Sequence, residues 1–233
     1  MADINRTILY LSLLMFVVIS LADVCQRKIC KCGRTKNKKL KVDCSSKGLT
    51  EIFPQNEFPN DMQILDLSDN SISIVKKGCL DSHYKLQRLY LRRNSIKLLE
   101  GRAFVGLDLL NRLYLRENKL TQLDGKAFQG LTKLEVLDLA ANRIKSIDRL
   151  AFQGLKSLTR LNLKNNTFTT ILNGTFDELT TLTRIDMKQV PFQCNCQLNS
   201  LVAFLTRAVD TKVLGTCEDT KESLADLKGR DLC

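Results

Sequence analysis

The residues with the most chemical potential in this 233-residue sequence are its cysteines, its one histidine and two copies of an arginine–tyrosine segment. Eight of the nine cysteines lie in two clusters, where they could form disulfides or bind a metal ion. His83 stands alone, which excludes metal sites built on paired histidines and leaves one residue for any Ser-His or Cys-His mechanism. The segment RLYLR occurs at 88–92 and at 112–116, and both arginine and tyrosine are enriched in binding hot spots.

The two cysteine clusters are predicted to form disulfides rather than a zinc site. No histidine lies near either cluster in the sequence, and the N-terminal segment predicts export to an oxidising compartment. Because each cluster holds four cysteines, spacing alone leaves three pairings open in each. The clusters consist of Cys25, Cys30, Cys32 and Cys44 at one end, and of Cys194, Cys196, Cys217 and Cys233 at the other.

Residues 1–22 are predicted to be a secretory signal peptide. The apolar run 8–19 has 12 residues, too few to span about 30 Å of hydrocarbon at about 1.5 Å per residue. Ser20 and Ala22 form a small-x-small cleavage pattern, so we expect the mature chain to begin at Asp23. We therefore expect a secreted, extracellular protein with no membrane span, stalk or lipid anchor.

Between the clusters the chain repeats with a period of 24 residues. Six in-frame segments share the pattern LxxLxLxxNxL, the leucine-rich-repeat signature. They are 62–72, 86–96, 110–120, 134–144, 158–168 and 182–192. The fourth and sixth positions are apolar and alternate with polar residues, which predicts one short half-buried strand per repeat.

Two other columns of the repeat are predicted to be structural. The ninth position is asparagine in five repeats, and a stacked asparagine at a turn can bond backbone groups of its own and neighbouring coils. A phenylalanine recurs in the second half of four repeats and is predicted to be core. These columns are Asn70, Asn94, Asn118, Asn142 and Asn166, and Phe104, Phe128, Phe152 and Phe176. We expect four segments: signal peptide 1–22, N-terminal cysteine-rich cap 23–60, repeats 61–190 and C-terminal cysteine-rich cap 191–233.

The signal peptide, the Cys-x4-Cys-x-Cys-x11-Cys head, the repeats and the PFQCNC tail together resemble an extracellular leucine-rich-repeat protein. The layout is similar to the variable-lymphocyte-receptor type of lamprey and its invertebrate relatives, and to the repeat domains of Slit and Nogo-receptor proteins. The resemblance implies an α/β-type leucine-rich-repeat solenoid, a right-handed horseshoe with a parallel sheet on the concave face and irregular or short helical turns on the convex face. It also implies disulfide-bonded caps with the pairs Cys25–Cys32, Cys30–Cys44, Cys194–Cys217 and Cys196–Cys233. Val190 departs from the family's usual asparagine, which leaves the last turn less well specified.

The third, fifth and seventh positions of each segment flank the buried leucines and are predicted to face the concave side. The second and third repeats then place four arginines around two adjacent tyrosines, which we interpret as a binding surface. The predicted ligand-binding residues are Arg88, Tyr90, Arg92, Arg112, Tyr114, Arg116, Arg160 and Arg184. The alternative is a plain solvated basic face, and Asp66 and Asp138 on either side could pair with the arginines and weaken the surface.

The charge balance favours acidic partners. The formal net charge is +11, and the stretch 27–41 of the N-terminal cap holds eight lysines and arginines with no acidic residue. We interpret this stretch as a candidate site for a heparin-like polymer, the alternative being simple solubility of an exposed cap. Export disfavours nucleic acid, so we expect no nucleic-acid partner, and we expect a monomer.

No catalytic motif accompanies these features. The sequence has no nucleophile elbow, phosphate loop, HExxH or calcium-loop pattern, so we expect no enzyme activity, no cofactor and no bound metal. We predict a secreted binding protein that recognises a protein or an anionic glycan through its concave face. By resemblance, its role is innate immune recognition. The alternative is an extracellular-matrix or cell-guidance and adhesion protein that binds a growth factor or receptor.

Four single residues carry further predictions. Asn165 and Asn173 begin glycosylation sequons, the first at a turn that borders the concave face and the second on the return segment. Cys79 shares its column with alanines and a threonine, which predicts a buried free thiol; a disulfide-linked dimer is the alternative. His83 is predicted to be exposed in a loop.

Overall fold

One strand from each repeat builds a single large sheet. The computed structural model describes residues 23–233, so the predicted signal peptide 1–22 and its cleavage site lie outside the described residues. The strands are β1 (Lys31–Arg34), β2 (Leu40–Asp43), β3 (Ile64–Asp66), β4 (Ile74–Val75), β5 (Arg88–Tyr90), β6 (Leu98–Leu99), β7 (Arg112–Tyr114), β8 (Gln122–Leu123), β9 (Val136–Asp138), β10 (Ser146–Ile147), β11 (Arg160–Asn162), β12 (Arg184–Asp186) and β13 (Lys212–Leu214). Nine of them form one sheet in the order β1-β2-β3-β5-β7-β9-β11-β12-β13.

The sheet is parallel except for its first pair. Strands β1 and β2 form an antiparallel hairpin, and each later strand pairs in parallel with the next. Across the repeats the register advances by 24 residues at each step, so that Leu89 lies opposite Leu113 and Leu113 opposite Leu137. All three leucines are fully buried beneath the sheet. The predicted solenoid with a parallel sheet is confirmed.

Short parallel pairs lie on the far side of the coils, where the sequence predicts only irregular or short helical turns. Strand β4 pairs with β6, and β8 pairs with β10. The pairs exist because stacked coils of equal length bring equivalent backbone segments side by side: the Glu100 N–H donates to the carbonyl of Val75 at 3.0 Å. The one α-helix of the described residues, α1 (Asn199–Arg207), lies in the C-terminal cap.

A ladder of buried asparagines holds the turn after each strand. The Oδ1 atom of Asn118 accepts from the N–H of Ile96 at 3.0 Å, and its Nδ2 group donates to the carbonyls of Leu91 and Leu115 at 2.8 and 2.9 Å. Each asparagine therefore bonds both its own coil and the coil before it. The ladder ends at Val190, which is 3% exposed and has no side-chain group to donate.

Stacked phenylalanines fill the other half of the core. Phe104, Phe128 and Phe152 follow one another with ring centroids 6.2 and 6.3 Å apart and nearly parallel planes. The stack continues through Phe176 to Phe204 of helix α1, 5.0 Å away. The helix thus closes the apolar end that the last repeat would otherwise expose to water.

Disulfides hold both caps. The bonded pairs are Cys25–Cys32 and Cys30–Cys44 in the N-terminal cap, and Cys194–Cys217 and Cys196–Cys233 in the C-terminal cap. The bond between Cys30 and Cys44 ties the start of the chain to the coil that carries strand β2, and Val24 and Phe58 are buried beside it. Each cap covers one end of the leucine core.

The prediction that His83 is exposed is wrong. Its side chain is fully buried, packed edge-on against Phe58 with ring centroids 5.8 Å apart, and its Nδ1 atom lies 3.2 Å from the hydroxyl of Ser82. The N-terminal cap supplies this cover, which the repeat pattern does not reveal. Burial lowers the pKa of His83, although the carbonyls of Phe58 and Leu80 oppose the shift.

Cys79 is half-buried rather than buried. Its column-mates Ala103, Ala127 and Ala151 are at most 2% exposed because each lies between two repeats. Cys79 lies in the first repeat, so the cap and not another repeat precedes it, and the residue is only partly buried. The thiol is unpaired among the described residues, and burial raises its pKa to about 11.

Replacing Asn118 by alanine should strongly destabilise the fold. The substitution leaves the buried Ile96 N–H without a partner, whereas the Leu91 carbonyl still accepts from Asn94. One unsatisfied buried group of this kind costs about 1–3 kcal/mol of unfolding free energy. Urea denaturation followed by circular dichroism measures the loss. Asn70→Ala is the matched control: Asn70 is half-buried at the start of the ladder, where water can replace its bonds, so its loss should be smaller. Equal losses would contradict a special role for the buried ladder.

Stability should fall as the pH drops below about 6.5, because burial lowers the pKa of His83. Its folded pKa lies below the unfolded value of about 6.5, so the unfolded chain takes up a proton first as the pH falls. The contribution is complete above the unfolded pKa and decreases by at most about 1.4 kcal/mol per pH unit below it. Urea titrations across this range should show the slope in the parent and a flatter profile in His83→Gln. A slope that survives the substitution would contradict the assignment.

The Cys79 thiol should react slowly at neutral pH. With a pKa of about 11 it is almost entirely protonated there, and labelling by a thiol reagent should accelerate about tenfold per pH unit while the protein stays folded. Labelling for a series of fixed times, followed by quenching and mass spectrometry, gives the rate. Non-reducing electrophoresis should show a monomer, and a dimer band that disappears in Cys79→Ala would contradict this account.

Candidate binding surface

The concave face presents three columns of side chains across the sheet. The parallel register places Arg88 beside Arg112 in the third column and Tyr90 beside Tyr114 in the fifth. These four side chains are half-buried, with their ends at the surface, while the intervening Leu89 and Leu113 are buried in the core. Because successive side chains of a strand point to opposite faces of the sheet, the candidate binding residues lie on one face and the core leucines on the other.

The two tyrosines form a rigid pair. The rings of Tyr90 and Tyr114 stack with centroids 4.8 Å apart and planes 3° from parallel. The guanidinium of Arg92 lies 4.9 Å from one ring centroid and 5.2 Å from the other, within cation–π range of both. A ligand that contacts this pair has little side-chain entropy to overcome, because the rings already restrain each other.

Most arginines of this surface have no acidic partner. No carboxylate of residues 23–233 lies within 4.0 Å of the four guanidinium groups of Arg88, Arg92, Arg112 and Arg160. The expected competitor Asp66 is bound by Lys41 at 3.6 Å instead. In addition, the Nε atoms of Arg88, Arg92 and Arg112 are buried without a hydrogen-bond acceptor in the described chain. The charges of these guanidinium groups are therefore not neutralised by a carboxylate of the described chain.

Two of the predicted arginines are already paired. Arg116 donates to Glu117 at 2.8 Å, and Arg184 lies 3.5 Å from Asp186. The Arg116–Glu117 pair is exposed to solvent, where such contacts contribute little free energy, whereas Asp186 of the second pair is only 16% exposed. The arginines that lack both an acidic partner and an acceptor for Nε therefore lie in the second repeat, at Arg88 and Arg92, and at Arg112 in the third.

A shallow depression of about 200 Å³ lies beside the tyrosine pair. Tyr114, Val136, Asp138 and Arg160 are among its lining residues. Burial raises the pKa of Asp138, although the N–H of Ala140 and the nearby arginines oppose the shift. The carboxylate has no cation within 4.0 Å among the described residues, so the concave face is chemically mixed at this point.

The remaining predicted sites lie outside this surface. Asn165 and Asn173 are both exposed, and Asn165 occupies a left-handed turn with φ of 54° directly after strand β11. Of the residues described, Cys194, Cys217 and Asp219 are the one group close enough to suggest a metal site. Cys194 and Cys217 are disulfide-bonded to each other, so their sulfurs are not free thiolates.

The comparisons with known proteins agree with this architecture. The family profile "Leucine rich repeat" matches residues 84–144 and 132–189. The chain has a leucine-rich-repeat fold, and the family match covers its residues 84–189. No curated protein matches the sequence. One matching solved structure is the crystal structure of the TLR13–ssRNA13 complex, which is 26% identical with a TM-score of 0.62 over 70% of this chain.

The chain spans 23% of the TLR13 chain that it resembles. That structure was solved with single-stranded RNA, which does not fit well with the expectation from export that nucleic acid is absent among the partners. Among the described residues, no helix is long and apolar enough to cross a membrane. The leucine-rich-repeat fold suggests a protein-binding role.

Proposed function

We propose that this protein is a secreted, non-enzymatic binding protein whose concave face recognises an anionic ligand, a glycan or an acidic protein, in innate immune recognition. The observation that carries the proposal is the group of arginines without acidic partners around the stacked Tyr90–Tyr114 pair. The signal-peptide pattern, the disulfide-bonded caps and the resemblance to variable-lymphocyte receptors support secretion and an immune role. The TLR13 neighbour supports the same setting.

The chemistry of the surface explains why the ligand should be anionic. A guanidinium presents a planar fork of donors that matches the oxygens of a carboxylate, sulfate or phosphate. Arg88 and Arg112 lie side by side on adjacent strands, so one extended anion can contact both. The tyrosine hydroxyls between the arginine columns can donate further hydrogen bonds, and the rings supply apolar contact area.

Two double variants test the concave site. Arg88→Glu with Arg112→Glu, and Tyr90→Ala with Tyr114→Ala, should each weaken binding of heparin or lipoteichoic acid about tenfold or more, the loss typical of hot-spot residues. Surface plasmon resonance at low and raised salt measures the affinity, and circular dichroism verifies the fold. Raised salt should weaken the parent, since the contacts are ionic.

The matched control for charge is Lys97→Glu with Lys145→Glu. These exposed lysines directly precede β6 and β10, the short strands on the opposite side of the coils from the concave columns. This control should bind like the parent. If both concave double variants also bind like the parent, the concave site is wrong.

A further inference from the structure

The basic N-terminal cap belongs to the same sheet as the concave arginines. Strand β2 pairs with β3, which places Lys41 beside Ile64 in the third column. In the antiparallel hairpin, Lys31 lies opposite Asp43 and Gly33 opposite Lys41, so Lys31 shares the concave face. Arg34 lies on the other face, beside Leu40, and extends toward Asp61. The basic stretch 27–41 therefore divides, and only part of it reaches the concave side.

The tip of the hairpin reaches the arginine column directly. The turn between β1 and β2 is closed by hydrogen bonds between Thr35 and Lys39, and the Lys39 ammonium donates to the side-chain carbonyl of Gln87. Lys36, Lys39, Ile64 and Arg88 line one open depression of about 340 Å³. In the third column, Ile64 is the apolar residue between Lys41 and Arg88. The hairpin tip places the cations Lys36 and Lys39 at the depression that Ile64 lines.

Two rows of cations consequently run across the strands. The first row contains Lys36, Lys39, Arg88, Arg112, Arg160, Arg184 and Lys212, and the second contains Arg92, Arg116, Lys164 and Lys188. The acids between the rows are partly neutralised, because Lys41 contacts Asp43 and Asp66. Successive strands are about 4.8 Å apart, so the nine strands present a basic surface about 38 Å long.

We propose that the hairpin tip and the concave arginines form one continuous site for a linear sulfated glycan that lies across the strands. The proposal rests on the proposed function and adds to it the ligand class, the direction of the chain and the contribution of Lys36 and Lys39. A linear polyanion with regularly placed sulfates and carboxylates matches rows that offer a cation on most strands. A compact anion would use only one part of such a surface.

The arrangement of the tyrosines favours a glycan over single-stranded nucleic acid. Binding of bases without sequence preference depends on free aromatic faces on which successive bases stack. Tyr90 and Tyr114 stack on each other with Arg92 against both, and the next residue of the column on either side is an aspartate, Asp66 or Asp138. The pair therefore presents its hydroxyl-bearing ends, which suit hydrogen bonds to sulfate and carboxylate oxygens.

The decisive experiment compares short heparin oligosaccharides with long ones on the full mature chain. In the parent, affinity should rise about tenfold or more with oligosaccharide length until one chain spans the hairpin and the arginines, with one long chain bound per protein. Lys36→Glu with Lys39→Glu should remove most of this length advantage. The log–log plot of affinity against salt concentration should also become less steep, since fewer counterions are released. Lys97→Glu with Lys145→Glu is the charge-matched control and should leave both quantities unchanged.

The outcomes separate the two proposals. If the hairpin variant binds long heparin like the parent while Arg88→Glu with Arg112→Glu loses binding, the continuous site is wrong and the concave site stands. Two long chains bound per protein would also overturn the continuous site. If the parent binds no heparin of any length, the glycan assignment fails. If single-stranded RNA then binds in a manner that needs Tyr90 and Tyr114, nucleic acid is the ligand instead.

Discussion

The asparagine ladder is the constraint on which the rest of the structure depends. Each strand ends in a turn whose residue before the asparagine takes a left-handed conformation, as Glu117 does with φ of 58°. Residues other than glycine rarely adopt that backbone conformation, so hydrogen bonds around the turn help to stabilise it. Asn118 holds it by bonding the backbone of its own coil and of the preceding coil at the same time. The coils therefore have equal length, and coils of equal length place equivalent residues of successive repeats side by side.

Register has opposite consequences on the two faces of the sheet. Beneath it, aligned leucines and the stacked phenylalanines from Phe104 to Phe204 form a core in which each coil is covered only by its neighbours. Such a core has two open ends, which explains why both are closed by disulfide-bonded caps. Above the sheet, the same alignment stacks Tyr90 on Tyr114 and places Arg88 beside Arg112, so the repeat also creates the proposed binding surface.

The caps also contribute more than closure. The N-terminal hairpin extends the sheet by two strands and carries lysines to the edge of the arginine column. Another part of the N-terminal cap buries His83 against Phe58, which gives the first repeat a titratable core group. At the other end, helix α1 replaces the missing repeat with Phe204, and the loss of the ladder asparagine at Val190 coincides with this change of architecture. Both ends thus depart from the repeat where a different cover is needed.

The sequence by itself determined the repeat, because a 24-residue period fixes which side chains face the core and which face solvent. It therefore determined the solenoid and the makeup of the concave columns, including Tyr90 and Tyr114. The sequence could not predict how the caps pack against the repeats. Examples are the burial of His83 by the cap, the partial exposure of Cys79, and the depression that Lys36 and Arg88 both line. Whether Asp66 pairs with Lys41 or with an arginine was likewise decided only by the tertiary structure. The physical reason is that a period predicts neighbours only where both partners obey it, and the caps do not.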